Sequence, residues 1–242
     1  MTFPVFPGKP EKSEDWQIEL RSMTSPATRS LTTNSTPIGF EDLERLIAKS
    51  NDQRRVIAIV GAPGSGKSTL AERLAARLND GLEDCAAILP MDGYHYDDCV
   101  LIERGLRPRK GAPETFDVLG LLNMLERLRR NQEDDIAVPV FDRDLEISRA
   151  SARLIPRAVR ALIVEGNYLL LDQEPWSCLR AVFDVTVAID EPEEILRQRL
   201  TERWQAYGLG PSAIMAKVEG NDLPNARYVK WKSAPADFVL RS

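Results

Sequence analysis

Gly61-Ala-Pro-Gly-Ser-Gly-Lys67-Ser68 satisfies the spacing G-x-x-x-x-G-K-[ST] at each fixed position, and few octapeptides restrict a fold so tightly. It follows an unbroken apolar run, Val56-Ile-Ala-Ile-Val60, and opens a helical one over 68–78. The strand–loop–helix setting is the context such a loop requires. Three glycines allow successive backbone N–H groups to turn inward as an anion nest, and the helix that follows points its positive end at the same place. The loop, Gly61, Ala62, Pro63, Gly64, Ser65, Gly66, Lys67, Ser68 and Thr69, is therefore expected to cradle the phosphates of a nucleoside triphosphate. Lys67 would reach the β- and γ-phosphates, and the Ser68 hydroxyl would ligate Mg²⁺.

Further apolar runs recur at 86–91, 136–141, 161–165 and 182–189, with helical stretches at 117–130 and 192–205. Strands alternating with helices predict an α/β fold: a mostly parallel, five-stranded sheet with helices on both faces. Phe40 to Ala48 reads as a short amphipathic helix in front of it. Residues 1–37, rich in Ser, Thr and Pro and without a sustained period, are expected to be a mobile arm, with Met23 as an alternative start; 38–242 is the domain.

Composition narrows the function classes. A net charge of −5 from 32 Lys+Arg and 37 Asp+Glu argues against a nucleic-acid binder. No apolar run has membrane-spanning length, and the N-terminus lacks the layout of a secretion signal. Three scattered cysteines, Cys85, Cys99 and Cys178, read as free thiols in a reducing compartment, so the cytoplasm is the expected location.

In sheets of this kind the chemistry sits where strands end at their carboxyl termini. After the second run comes Met91-Asp92-Gly93-Tyr94-His95. Asp92 stands where a carboxylate can accept the proton of an acceptor hydroxyl, although a turn or N-cap is the commoner use of such an aspartate. Tyr94 and His95 are candidates to frame a small polar substrate; a lone histidine has no companion ligands for a metal site. Asp142 and Arg143 end the third run and point towards the same cleft. Glu165, ending the fourth, is either a ligand of Mg²⁺ or its waters, or a buried carboxylate paired with a lysine; Asn167 follows it. Arg199 and Arg203 lie one turn apart on a helix, where they either clamp phosphate under a closing lid or face solvent. Arg104, Arg107, Arg109 and Lys110 form a basic loop, and 219–225 a polar one.

Together these segments resemble the P-loop kinases of the uridine kinase, phosphoribulokinase and bacterial pantothenate kinase group. The resemblance rests on the phosphate loop, Asp92-Gly-Tyr94, Pro139-Val-Phe-Asp142, Glu165-Gly166 and a helix bearing Arg197, Arg199 and Arg203. With Arg109 to Asp117 and Glu219 to Asn225 the chain looks most like the bacterial fructose transport system kinase-like subgroup, over residues 38 to the end. The resemblance implies a three-layer P-loop fold with a small helical lid near 192–210 and ATP and Mg²⁺ as cofactors. It assigns Asp92 as general base and Lys67, Arg199 and Arg203 as stabilisers of the transferring phosphoryl group, with Arg197 on the nucleotide. Tyr94, His95, Arg109, Asp142 and Asn167 would contact the acceptor, and Ser68 and Glu165 the metal. Small kinases of this architecture are often homodimers. Nothing specifies a uracil base, and the extra segments of full pantothenate kinases are missing; the resemblance to the subgroup implies a sugar or similar polyol as acceptor. No N-K-x-D base-reading motif of regulatory GTPases and no Leu-Ser-Gly-Gly motif of transport ATPases is present. The standing rival is a nucleotide hydrolase or switch that needs no small acceptor.

Overall fold

Strand β2 (Arg55–Gly61) carries the centre of the structure, because its residues are buried on both faces and alternate between two cores. The computed structural model describes residues 30–49, 53–81 and 85–240. In chain order these form β1 (Thr36–Pro37), α1 (Phe40–Ala48), β2, α2 (Lys67–Leu78), β3 (Ala86–Pro90), α3 (Asp98–Glu103), α4 (Val118–Arg130), β4 (Asp135–Asp142) and β5 (Ile147–Pro156). There follow β6 (Ala161–Gly166), β7 (Val185–Ile189), α5 (Glu193–Ala206), α6 (Pro211–Lys217), α7 (Leu223–Lys232) and β8 (Phe238–Leu240). Val56, Ala58 and Val60 of β2 pack with Leu121, Leu125 and Leu128 of α4. Ile57 and Ile59 pack on the other side with Leu43 and Ile47 of α1 and Leu70 and Leu74 of α2. The three layers follow from this two-sided burial.

The sheet has six strands, all parallel, in the order β1-β8-β7-β2-β6-β3. The α/β class is as expected, but the membership differs. The run 136–141, expected inside the main sheet, pairs antiparallel with β5 in a separate two-stranded ribbon. Pro139 cannot donate to a ladder, and the register slips between Val138 and Val140. β5 itself is mostly exposed, so it has no apolar run to betray it. The outermost strand β1 and its neighbour β8 span only 2 and 3 residues, too short for a periodicity.

Of the expected arm, residues 1–29, Met23 included, lie outside the described residues. Residues 30–37 pack against the domain: Leu31 is buried, the Ser35 hydroxyl donates to the Ala236 carbonyl at 2.7 Å, and β1 pairs with β8. The helical unit above the sheet is larger than the predicted lid. Leu196 and Leu200 of α5 share a small core with Ile214 of α6 and with Val218, Leu223 and Ala226. Among the described residues all three cysteines are free, and no helix is long and apolar enough to cross a membrane.

One buried charge fastens the lower edge. Arg54, only 4% exposed, donates to the carbonyls of Val159 (2.9 Å), Leu128 (2.9 Å) and Pro156 (2.6 Å). Burial, with Arg160 nearby, lowers its guanidinium to about 10, so it stays charged at neutral pH. Arg54→Met would leave three buried acceptors short of donors, at about 1–3 kcal/mol for each that water cannot reach. A net loss of about 3 kcal/mol is expected, read as a fall in Tm of about 6–12 °C. An unchanged Tm would show that the three carbonyls find other donors.

Candidate active site

The carboxyl ends of β2, β3, β6 and β7 open, with α5 to α7, onto one cleft of about 1680 Å³. Its floor is the glycine-rich loop. Gly64 and Gly66 have φ of +79° and +90°, a left-handed conformation that a side chain would strain. At Gly61 a Cβ would lie 2.5 Å from Ser65 Oγ and 3.0 Å from the Ile189 carbonyl, so the loop cannot close over a larger residue. Pro63 to Thr69 line the cleft; Gly61 and Ala62 shape the turn from behind it. Ser65 is buried and its hydroxyl has no partner among the described residues. Lys67 makes no ion pair there; its ammonium donates to the Ala62 carbonyl at 3.3 Å. A nest of this shape, with an orphaned hydroxyl and an unpaired buried ammonium, fits the phosphates of ATP.

Burial pushes Lys67 down and Glu165 up, each towards its neutral form, while their mutual attraction opposes the shift. The Ser68 hydroxyl also hydrogen-bonds the Glu165 carboxylate. Glu165 thus has the Lys67 charge close by, without an ion pair among the described residues, and the Ser68 hydroxyl in contact. Among the described residues no group of three His, Cys, Asp or Glu converges, so a Mg²⁺ would have to be shared between Ser68, Glu165 and the phosphates.

Asp92 sits in a short 3₁₀ turn, Met91–Tyr94, directly after β3. Its carboxylate is a quarter exposed and receives a hydrogen bond from Arg143 at 2.7 Å. It is near enough to Lys67 and Glu165 to act on both electrostatically. His95 lines the cleft with its ring 4.0 Å from that of Phe116 and 4.7 Å from that of Phe141. Its Nδ1 donates to the Asp92 carbonyl at 2.9 Å. Burial lowers its proton affinity, against the opposing pull of Asp92. The folded protein thus prefers neutral His95, while the unfolded chain takes a proton below about 6.5. Stability from this group is complete above that pH and declines as pH falls below it. Urea midpoints should drop between pH 7 and pH 5, and less so in His95→Phe; equal slopes would remove the histidine from the account.

Asn167 and Arg109 line the cleft as expected, Arg109 paired with Glu114 at 2.9 Å. So do Arg199 and Arg203, one helical turn apart on α5. Arg199 is held by Glu191 at 3.2 Å, whereas Arg203 has no ion pair among the described residues.

Three predicted contacts are corrected. Tyr94 is buried in the core beneath the 3₁₀ turn, its hydroxyl without a partner among the described residues, and it does not line the cleft. Asp142 accepts from the Leu145 N–H at 3.1 Å and pairs with Arg149 at 3.5 Å. Phe141 and Arg143 on either side of it face the cleft, so strand alternation turns Asp142 away. Arg197 is bound to Glu193 at 3.0 Å and Glu219 at 2.7 Å outside the cleft, because two residues along a helix is about 200° of rotation.

Other cleft residues had no strong signal in sequence. Arg73 lies 3.8 Å over the ring of Phe40, thirty-three positions earlier. The segment read as a polar loop at 219–225 is instead a π-turn, Val218–Asp222, running into α7. Its buried Asp222 accepts a hydrogen bond from the Trp204 indole at 2.7 Å. Pro224, one residue inside α7, was the available clue to a helix start.

No family model matches the chain. It is 39% identical over 194 residues to the uncharacterized protein YggC of Escherichia coli K12, covering 78% of this chain and 79% of that one. A Schizosaccharomyces pombe protein, provisionally named a uridine kinase (C227.14), is 30% identical over 79% of this chain and 84% of its own. The pantothenate kinase of Streptococcus pneumoniae serotype 19F is also 30% identical, over 79% of this chain, which spans 60% of that enzyme's length. Among solved structures, a protein of Silicibacter sp. TM1040 provisionally named a fructose transport system kinase superposes with a TM-score of 0.77. It is 40% identical and covers 84% of this chain and 98% of that chain. With the phosphate loop, the strand-end carboxylates and the arginine-bearing helix in one cleft, the chain belongs to the P-loop kinase family of the uridine, pantothenate and phosphoribulo-kinases, phosphotransferases with a hydroxyl acceptor.

Proposed function

We propose that the enzyme transfers the γ-phosphoryl group of ATP to a hydroxyl of a small polyhydroxylated metabolite of the sugar class. Fructose is the acceptor suggested by the name of the Silicibacter relative. One observation carries the reading: Asp92 shares a cleft with the phosphate loop and acts electrostatically on Lys67 and Glu165, while among the described residues its carboxylate is held by Arg143. A carboxylate so placed serves transfer to a hydroxyl better than simple nucleotide binding.

Bound Mg²⁺ would neutralise charge on the phosphates, held by Ser68 and Glu165. Asp92 takes the proton of the acceptor hydroxyl as its oxygen forms a bond to the γ-phosphorus. The bond from that phosphorus to the bridging oxygen breaks, and ADP leaves with the electron pair. Lys67 meets the negative charge on the phosphates. Arg203, without an ion pair among the described residues, and Arg199, held by Glu191, supply further positive charge from α5. The helices α5 to α7 close one side and limit water.

The test is ADP release from Mg-ATP over sugars, sugar acids and sugar phosphates, with a control lacking acceptor. Release that depends on acceptor supports the kinase reading. Equal release in the control would make the protein a hydrolase or switch.

A further inference from the structure

The part of the cleft wall next to Asp92 is cationic, in a chain whose net charge is −5. Arg104, Arg107, Arg109, Lys110 and Arg143 line it, against Asp92, Glu114 and Glu146. Four of the five cations have carboxylate partners: Arg107 and Lys110 on Asp98, Arg109 on Glu114 and Arg143 on Asp92. Arg104 differs. Its guanidinium stacks on the ring of Tyr96 at 4.6 Å and has no carboxylate partner among the described residues. A guanidinium set over a ring keeps N–H donors for a carboxylate or phosphate, which arginine can take with two parallel hydrogen bonds. Lys110, whose ammonium lies 5.5 Å from the Phe141 ring, and His95, between Phe116 and Phe141, pack the neighbouring wall against aromatic rings. A neutral polyol would need no guanidinium left without a carboxylate partner.

We propose that the acceptor is an anion, a sugar-derived acid or sugar phosphate, whose carboxylate or phosphate is bound by Arg104 while its hydroxyl faces Asp92. The inference rests on the kinase reading above and narrows its substrate class.

Matched acceptors test it: glycerol, glycerate and glycerol 3-phosphate; glucose, gluconate and glucose 6-phosphate; fructose and fructose 6-phosphate. An anionic member should exceed its neutral counterpart in kcat/KM by about tenfold or more, and its acid and phosphate forms separate the two anion types. Arg104→Gln should raise KM for the preferred acceptor by about 10–100-fold with a much smaller change in kcat, and Arg104→Lys should recover part of it. A neutral sugar used as well as its anionic partner, or an unchanged KM in Arg104→Gln, overturns the proposal and leaves the kinase reading standing. Turnover independent of every acceptor would sink the kinase reading. In that event, calorimetric titration of inorganic phosphate into the ADP-loaded protein decides the anion site. Weaker binding by Arg104→Gln than by the wild type supports it, and equal binding refutes it.

Discussion

Asp92→Asn is expected to lower acceptor-dependent turnover by about 10²–10⁴-fold while leaving ATP affinity nearly unchanged. The substitution keeps shape and size. Its amide oxygen can still accept from Arg143, which now reaches Asp92 at 2.7 Å, so the wall should not collapse. What disappears is a site for the acceptor's proton. That amounts to about 3–5 kcal/mol of transition-state stabilisation. The nucleotide should be little affected because no hydrogen bond joins the Asp92 side chain to the phosphate loop, and its effect on Lys67 is a longer-range electrostatic one. Steady-state kinetics would show the fall in kcat with little change in either KM. A variant that retains more than about a tenth of wild-type turnover would take the base role away from Asp92.

Lys67→Met should cost about 10²–10³-fold in kcat/KM, because a fixed positive charge aimed at the phosphates is lost from a site with little water. A second effect separates this charge from mere packing. Burial already raises Glu165, and the Lys67 charge is the largest influence holding it down. Without it, the folded state should bind a proton at Glu165 up to a higher pH than the unfolded chain, whose glutamate titrates near 4.5. Folded protein then carries more protons than unfolded, so stability is complete below that pH and is lost as pH rises through the folded value. Urea midpoints for Lys67→Met should therefore decline from pH 5 to pH 8 more steeply than for the wild type. Adding Glu165→Gln should flatten the slope. If the single variant shows the wild-type pH profile, the two side chains are not coupled as their placement suggests.

Much of the site was legible because its signals are local. The strand Val56 to Val60, the phosphate loop and α2 are contiguous, and positive φ at Gly64 and Gly66 is what glycine at those two positions permits. Asp92 and Glu165 were found by a similar rule, since an apolar run marks a buried strand and the polar residue that ends it lies at the edge. Arg199 and Arg203 followed from a helix period. The errors also have one origin. Arg197 sits within the same helix but a different face, and Asp142 and Tyr94 lie beside cleft residues while pointing elsewhere. Proximity in sequence was taken for proximity in space.

From the order of its residues the chain could specify the nucleotide nest, the alternation of strands and helices and the carboxylates at the strand ends. Those depend on interactions within a few residues. Folding alone settled that 136–141 leaves the main sheet, that two short strands complete its edge, and that Arg143 reaches across 51 positions to Asp92. In the sequence Arg104 is one cation in a basic loop; the fold sets its guanidinium over the ring of Tyr96. Partner choice among charges is decided by which surfaces the hydrophobic core brings together, and no periodicity of the chain encodes that.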